Sequence, residues 1–299
     1  MAVRFRFGDS SSEWVLSLRQ DNNFVSDTPT MILPEQLIRI GDPDQPVYRI
    51  YPLWGLEEAL RLRQLVLVAP RLWEDPFEVI GNGIAVDRPR GDRIEQVIIN
   101  QSLPPAYAQC WSATPESDTL LRAYSRVIKD PHFGRNICPR DEGVRVRSTP
   151  RKLLEALLKG KRAEDGSCCF IGSVQYLARN ALLQEVANAI GAVGLGVFEH
   201  PANRAKLLLL KREAFAHEAE VRLIQVRHGP DSPDALLRVQ IDPNTVFDEI
   251  SFEPRLAVFE RKEREEAVRD LGYTGPFCES GLYDRVLLQV SLSRPPAED

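Results

Sequence analysis

Apolar residues in this chain recur at two different periods, and stretches of one period follow stretches of the other without regular alternation. Period two marks strands and period 3.6 marks helices, so a chain that mixes them irregularly fits an α+β fold better than a doubly wound parallel sheet. Val47-Tyr48-Arg49-Ile50-Tyr51 reads as a strand, Gly55–Arg63 as a short helix with Leu56, Ala59 and Leu60 inward, and Leu65–Val68 as another strand. The clearest helix follows Thr149. That residue is a good N-cap, Pro150 suits the first helical position, and Leu153, Leu154, Leu157 and Leu158 form one stripe. Gly160 is expected to close the helix in a left-handed turn.

Further strands are expected at Val3–Phe7, Cys169–Tyr176, Ala219–Val226, Leu236–Ile241 and Tyr283–Leu292. Helices are expected at Ala178–Ile190, Lys206–Phe215 and Ala257–Leu271. Pro43 and Pro46 mark a change of texture, so residues 1–44 are taken as a peripheral segment, 45–293 as a single α+β domain and 294–299 as a polar tail. At 299 residues, one elaborated core is the default.

Charge and cysteine usage exclude several classes of function. Thirty-eight Lys and Arg against forty-three Asp and Glu give a net charge of -5, so no general positive field gathers polyanions, and nucleic-acid binding would need a local patch. The one basic stretch, Arg145, Arg147, Arg151, Lys152, Lys159, Lys161 and Arg162, fits a solvated helix face better than a nucleic-acid groove. Cys110, Cys138, Cys168, Cys169 and Cys278 suit neither a disulfide framework nor a Cys-x-x-Cys metal site. Together with the lack of an export signal or an apolar run of membrane-spanning length, they lead us to expect a cytoplasmic protein with no membrane contact. His132, His200, His217 and His228 show no metal-ligand spacing.

Chemistry is most legible at His217-Glu218-Ala219-Glu220-Val221-Arg222-Leu223. Read as a strand, it puts Glu218, Glu220 and Arg222 on one face, with the carboxylates about 7 Å apart at roughly 3.3 Å per residue. One carboxylate would then be raised in pKa by its neighbour and the other held ionised by the arginine. The same pattern also fits a solvated, charge-balanced face. Arg49 is the one charge in an apolar strand, placed either to snorkel to a rim or to grip an anion in a cleft. Ser112 lacks a nucleophile elbow or a nearby histidine, and fits a supporting hydrogen-bond role. Asp75-Pro76-Phe77-Glu78 reads as a Pro-set turn with Phe77 buried.

Tyr48-Arg49, Trp73–Glu78, Cys110-Trp111-Ser112, Leu120–Tyr124, Gly143–Val146, Val174-Gln175-Tyr176, Lys211 and Glu218–Arg222, in that order, resemble the bacterial family catalogued as domain of unknown function 2971, over about residues 47–260. That family reads Asn-Asp-Pro-Phe-Glu where this chain has Glu74–Glu78. It reads Met-Trp-x-His-Tyr where this chain has Leu120–Tyr124, so only Tyr124 is shared there. More distantly, an arginine on an early strand, a serine ending a middle strand and Glu-x-Glu opening a later one are similar to the plan of ADP-ribosyltransferases. That resemblance implies mixed, mainly antiparallel sheets around a cleft with peripheral helices. It also implies NAD as substrate and no metal.

By the same resemblance, Arg49 would hold the phosphate or ribose of NAD and Ser112 would steady the site. Glu220 would bind the nicotinamide ribose and stabilise its cation-like transition state, while Glu218 would orient the acceptor. Tyr124, stacking on the nicotinamide, Arg222 and Tyr48 would contact substrate. The implied activity is ADP-ribosyl transfer to a protein or nucleic acid, or NAD hydrolysis, in a bacterial toxin, phage-defence or stress setting with an antitoxin or other partner. Two alternatives stand beside it: a non-catalytic partner-binding regulator, and a magnesium-dependent nuclease using Asp75, Glu78, Glu218 and Glu220.

Overall fold

The computed structural model describes residues 31–78, 85–98, 103–160, 168–194, 197, 200–227, 234–284 and 288–290. The chain divides into two units, Met1–Met31 and Ile32–Asp299, and among the described residues every strand and helix belongs to the second. The strand expected at Val3–Phe7 and the tail at 294–299 lie outside the described residues.

The strands are β1 (Leu37–Ile38), β2 (Val47–Pro52), β3 (Gln64–Val68), β4 (Ala85–Arg90), β5 (Arg93–Ile98), β6 (Ala106–Ser112), β7 (Gly143–Ser148), β8 (Cys168–Ser173), β9 (Gln175–Leu177), β10 (Leu210–Arg212), β11 (Glu220–Val226), β12 (Leu236–Gln240) and β13 (Glu249–Phe252). The helices are α1 (Leu53–Leu62), α2 (Asp118–Tyr124), α3 (Pro150–Lys159), α4 (Arg179–Val193), α5 (Pro201–Leu207), α6 (Pro243–Val246) and α7 (Val258–Asp270). A nine-stranded sheet runs β1-β8-β11-β6-β2-β7-β13, with β3 joined to β6 and β12 to β3. Within it only β1 and β8 pair in parallel. Two small sheets, β4-β5 and the parallel pair β9-β10, complete an α+β fold.

Register decides what each face of the large sheet carries, because directly opposed residues share a face and neighbours along a strand do not. One face holds the main core: Val47, Tyr51, Trp111, Val144, Val146, Ile171, Val221, Leu223, Ile250 and Phe252 are all buried there, packed with α1 and α3. The other face is split in character. At one end, Ala106, Ala108, Phe170, Ile224 and Val226 form a second core with the α5 region. Toward the other end, the same face carries Cys110, Ser112, Glu220, Arg222, Tyr48, Ile50, Arg145 and Ser251.

Helix α3 starts as its sequence dictates, with the Thr149 side chain accepting from Lys152 N–H and Pro150 in the first turn. Gly160 is not left-handed, having φ -74°. A Cβ there would lie 2.7 Å from Val239 Cγ1, so a larger residue would force the Val239 side chain on β12 to shift. The helix expected at Lys206–Phe215 is also corrected. α5 ends at Leu207, Leu210–Arg212 form β10, and Glu213–Glu218 make a 3-10 turn. Leucine propensity favours helix, but Leu207, Leu208, Leu209 and Leu210 are all buried, and tertiary packing overrides propensity here. Half of the strand expected at Tyr283–Leu292 lies outside the described residues, and the described half is not strand: Tyr283 is in a turn and Asp284 and Leu288–Val290 have no regular structure.

Candidate active site

A break in the large sheet makes the site. One edge of β6 is shared between two strands, β2 meeting it only at Tyr48↔Ser112 and β3 only at Val68↔Ala108. Between these points the edge of β6 pairs with neither strand. The Arg49 guanidinium reaches across to the Cys110 carbonyl and donates to it through Nη1, while stacking 5.0 Å from the centre of the Tyr51 ring. Arg49 Nε is buried and has no acceptor among the described residues. Arg49 lines a cleft of about 1020 Å³, counting its open mouth, and Ser112, Tyr48, Tyr124, Glu218 and Glu220 line it too.

Glu218 and Glu220 do not sit on one strand. β11 begins at Glu220; Glu218 ends the 3-10 turn, and Ala219 between them is left-handed at φ 42°, ψ 50°. The turn is fastened by Ser112, whose hydroxyl donates to the Glu218 carbonyl at 2.7 Å and accepts from Thr114 N–H at 3.0 Å. Ser112 thereby ties the end of β6 to the end of the turn. This kink brings the two carboxylates together, and both accept from Lys211 Nζ, at 2.5 Å for Glu218 Oε2 and 2.7 Å for Glu220 Oε1.

The second Glu220 oxygen accepts from Arg222 Nε at 2.6 Å, and its backbone N–H donates to Tyr176 Oη at 2.8 Å. Arg222 is 0% exposed. Its other nitrogens reach Glu78 Oε2 at 2.6 Å and the Leu208 carbonyl at 2.7 Å, and its guanidinium lies 4.5 Å from the centre of the Trp73 ring. Arg222 thus stands behind Glu220, spends its donors on protein groups, and is not among the residues lining the cleft.

The pair is electrically asymmetric. Burial alone would raise the Glu220 carboxyl, but Arg222, a hydrogen bond from Glu218 and Lys211 together hold it at about 2. Burial and the bond to Glu220 push Glu218 up to about 7, against the pull of Lys211. Burial and the nearby Glu220 charge push the Cys110 thiol up to about 12, so it stays protonated and is no ready nucleophile. Tyr124 stands at the mouth, 56% exposed, on α2. The Tyr48 ring carries the Arg145 guanidinium, 5.3 Å from its centre.

No protein-family model, that of domain of unknown function 2971 included, and no curated protein matches the chain. Three solved structures do. They are DarT of Thermus sp. 2.9 in complex with ADP-ribosylated ssDNA (12% identity, 81% of this chain and 97% of that one, TM-score 0.34), with NAD+ (13%, 80% and 96%, TM-score 0.33) and with carba-NAD+ (14%, 81% and 97%, TM-score 0.32). At these TM-scores the chemistry has to be read from the site itself.

The carboxylates considered as magnesium ligands are each engaged by cations. Arg212 holds Asp75 through two hydrogen bonds, Lys211 and Arg222 hold Glu78 and Glu220, and Lys211 holds Glu218. Among the described residues no group of three or more His, Cys, Asp or Glu is placed to hold a metal ion. Four residues of the basic stretch are likewise paired within the protein, while Lys159 is exposed. Arg145 faces Glu116 and Glu249, Arg147 faces Asp248 and Glu249, Arg151 pairs with Asp44, and Lys152 pairs with Asp248. Lys161 and Arg162 lie outside the described residues. No helix among the described residues is long and apolar enough to cross a membrane.

Sequence reasoning gave no role in the site to Lys211 or Tyr176, and set Glu78 in a turn. A signal for Lys211 was present: it ends the run Leu207-Leu208-Leu209-Leu210, and a lysine closing so apolar a run is drawn into the interior, where it needs anions.

Proposed function

We propose that the cleft breaks the glycosidic bond between nicotinamide and ribose in NAD and passes ADP-ribose to an acceptor or to water. The observation that carries this reading is the divided pair at the cleft wall: Glu220 is ionised at any physiological pH, and Glu218 beside it titrates near neutrality. When that bond breaks, its electron pair leaves with nicotinamide and positive charge develops on the ribose. A fixed carboxylate lowers that barrier. Capture of the sugar cation then requires a proton to leave the attacking hydroxyl, and a carboxylate titrating near 7 is suited to take it. Arg49, with one donor on Cys110 and a buried Nε to spare, is the candidate grip for a phosphate oxygen.

Charge count supports the division of labour. With Glu218 protonated, Glu78 and Glu220 balance Lys211 and Arg222. Once Glu218 ionises, the cluster carries one net negative charge facing the cleft. The acceptor, protein or nucleic acid, a toxin or defence setting and an accompanying antitoxin belong to the same proposal. Nicotinamide release from NAD by the purified chain tests it, with and without lysate. Glu220→Gln is expected to lower the rate by about 100-fold or more, the range for loss of a transition-state electrostatic group. No release, together with no shift in melting temperature on adding NAD, would move the protein to the second reading, a non-catalytic binding protein. That reading draws on the full engagement of both Glu220 oxygens by internal cations.

A further inference from the structure

Lys211 takes no part in the bond-breaking and bond-making steps above, yet its buried ammonium group meets three carboxylates beside the cleft. It is 5% exposed, and its ammonium group faces three carboxylates: Glu218 at 2.5 Å, Glu220 at 2.7 Å and Glu78 at 3.1 Å. Two of its N–H groups donate, to Glu218 and Glu220, and Glu78 faces the same charge as an ion pair. Its charge also rests 4.6 Å from the centre of the Phe215 ring.

The backbone context explains how the grip is built. β9 and β10 pair in parallel, with Lys211 directly opposite Tyr176. Tyr176 Oη accepts the Glu220 backbone N–H, while Lys211 Nζ donates to the Glu220 side chain. Two neighbours on one small sheet therefore hold Glu220 at both its main chain and its carboxylate. Glu78 completes the frame from behind, one oxygen facing Lys211 and the other accepting from Arg222.

We propose that Lys211, braced by Glu78, is the positioning residue that draws Glu218 and Glu220 together at the cleft wall and keeps Glu220 as the anion of the site. The inference rests on the reading of Glu220 as the carboxylate that faces the reacting ribose. The charged and titratable groups around the pair come from every neighbouring element: Arg222 from β11, Glu78 from the turn after β3, Tyr176 from β9, Cys110 from β6 and Tyr124 from α2. Arg212, next to Lys211, is occupied by Asp75 and does not take over its place. Without Lys211, Arg222 would be the one cation left against the three carboxyls, in contact with Glu220 and Glu78 only, and both glutamates of the pair would hold their protons to higher pH.

The test uses the full chain as wild type, Lys211→Met, Lys211→Arg, and the double variant Lys211→Met with Glu78→Gln, which removes one charge of each sign and covers the case in which the single variant does not fold. Carboxyl titration is followed by 13C NMR of labelled glutamate without NAD, and nicotinamide release is followed against pH. The expected result is an upward move of the pair's apparent midpoints by one pH unit or more in Lys211→Met, and a smaller upward move in the double variant, where loss of the Glu78 charge offsets part of the loss of Lys211. Lys211→Arg should return them part-way, the acidic limb of the rate profile should move by the same amount, and KM for NAD should change less than about threefold.

Midpoints that stay in place in a folded methionine variant overturn the proposal, whatever happens to the rate. If wild type releases no nicotinamide while the midpoints move, the positioning role stands and the NAD reading falls. If wild type is active and neither the midpoints nor the limb move, the reverse holds.

Discussion

Glu220 and Gly172 show how single positions are constrained around the cleft. Glu220 lies between Lys211 and Arg222, both buried, so replacing it leaves two cations with fewer anions to meet them. Breaking a buried charge pair typically costs about 3–5 kcal/mol, and Glu220→Gln keeps the shape while removing the charge. We expect urea denaturation to show a loss toward the lower end of that range. A loss under about 0.5 kcal/mol would mean that the cluster does not hold Glu220 as described. Gly172 on β8 sits opposite the buried Arg222. A Cβ at Gly172 would fall 2.4 Å from Leu209 Cδ1 and 2.9 Å from the Ile38 carbonyl oxygen, and a backbone atom cannot step aside as a flexible side chain can. Gly172→Ala is therefore expected to cost about 1–3 kcal/mol, the range for overpacking. An unchanged denaturation midpoint would show that β1 and β8 are not locked together.

Among the elements, the turn that ends in Glu218 and the strand that begins at Glu220 do most to shape the site, and their junction was hard to read from sequence. Period-two alternation through Glu218, Glu220 and Arg222 implied a strand, whereas Ala219 breaks it with a left-handed residue. Nothing about alanine announces that conformation; it is imposed by Ser112, 106 positions earlier, bonding the Glu218 carbonyl. Two substitutions probe the junction. Ala219→Gly removes the Cβ from a left-handed site and is expected to leave stability unchanged or raise it by up to about 1 kcal/mol, although glycine elsewhere usually destabilises. Ser112→Ala frees the turn and leaves the Thr114 N–H without its acceptor, at a cost of about 1–2 kcal/mol. If Ala219→Gly destabilised the protein as an ordinary glycine substitution does, the kinked junction would be wrong. By contrast α3 was legible from its cap to its last leucine, because cap, proline and leucine stripe act within one segment, and so were the strands at Val47, Leu65 and Leu236. Lys211 escaped because its partners come from positions 78, 218 and 220, which only the folded topology assembles.

For the molecule as a whole, the break in the sheet between β2 and β3 along β6 could not be foreseen from any segment, since it depends on which strands share an edge. Its consequence is a cleft walled by two carboxyls shifted in opposite directions, which gives the folded state a distinctive pH dependence. Glu218 keeps its proton up to about 7 when folded, but an unfolded glutamate releases its proton near about 4.3. Between those values the folded state binds the extra proton, so this contribution to stability is present below about 4.5 and is lost as pH rises through about 7. Glu220 acts the other way. Its folded value of about 2 makes its contribution present above about 4.5 and lost as pH falls toward 2. Replacing Glu218 with Gln removes the first slope and leaves the second. Near pH 5 the wild-type Glu218 is already neutral, so Glu218→Gln should melt close to wild type there. By pH 8 the wild-type group has been forced to ionise beside Glu220, and the variant should melt several degrees higher in relative terms. A difference in melting temperature that is the same at pH 5 and pH 8 would show that Glu218 ionises normally and that the cleft does not hold its two carboxyls apart in charge.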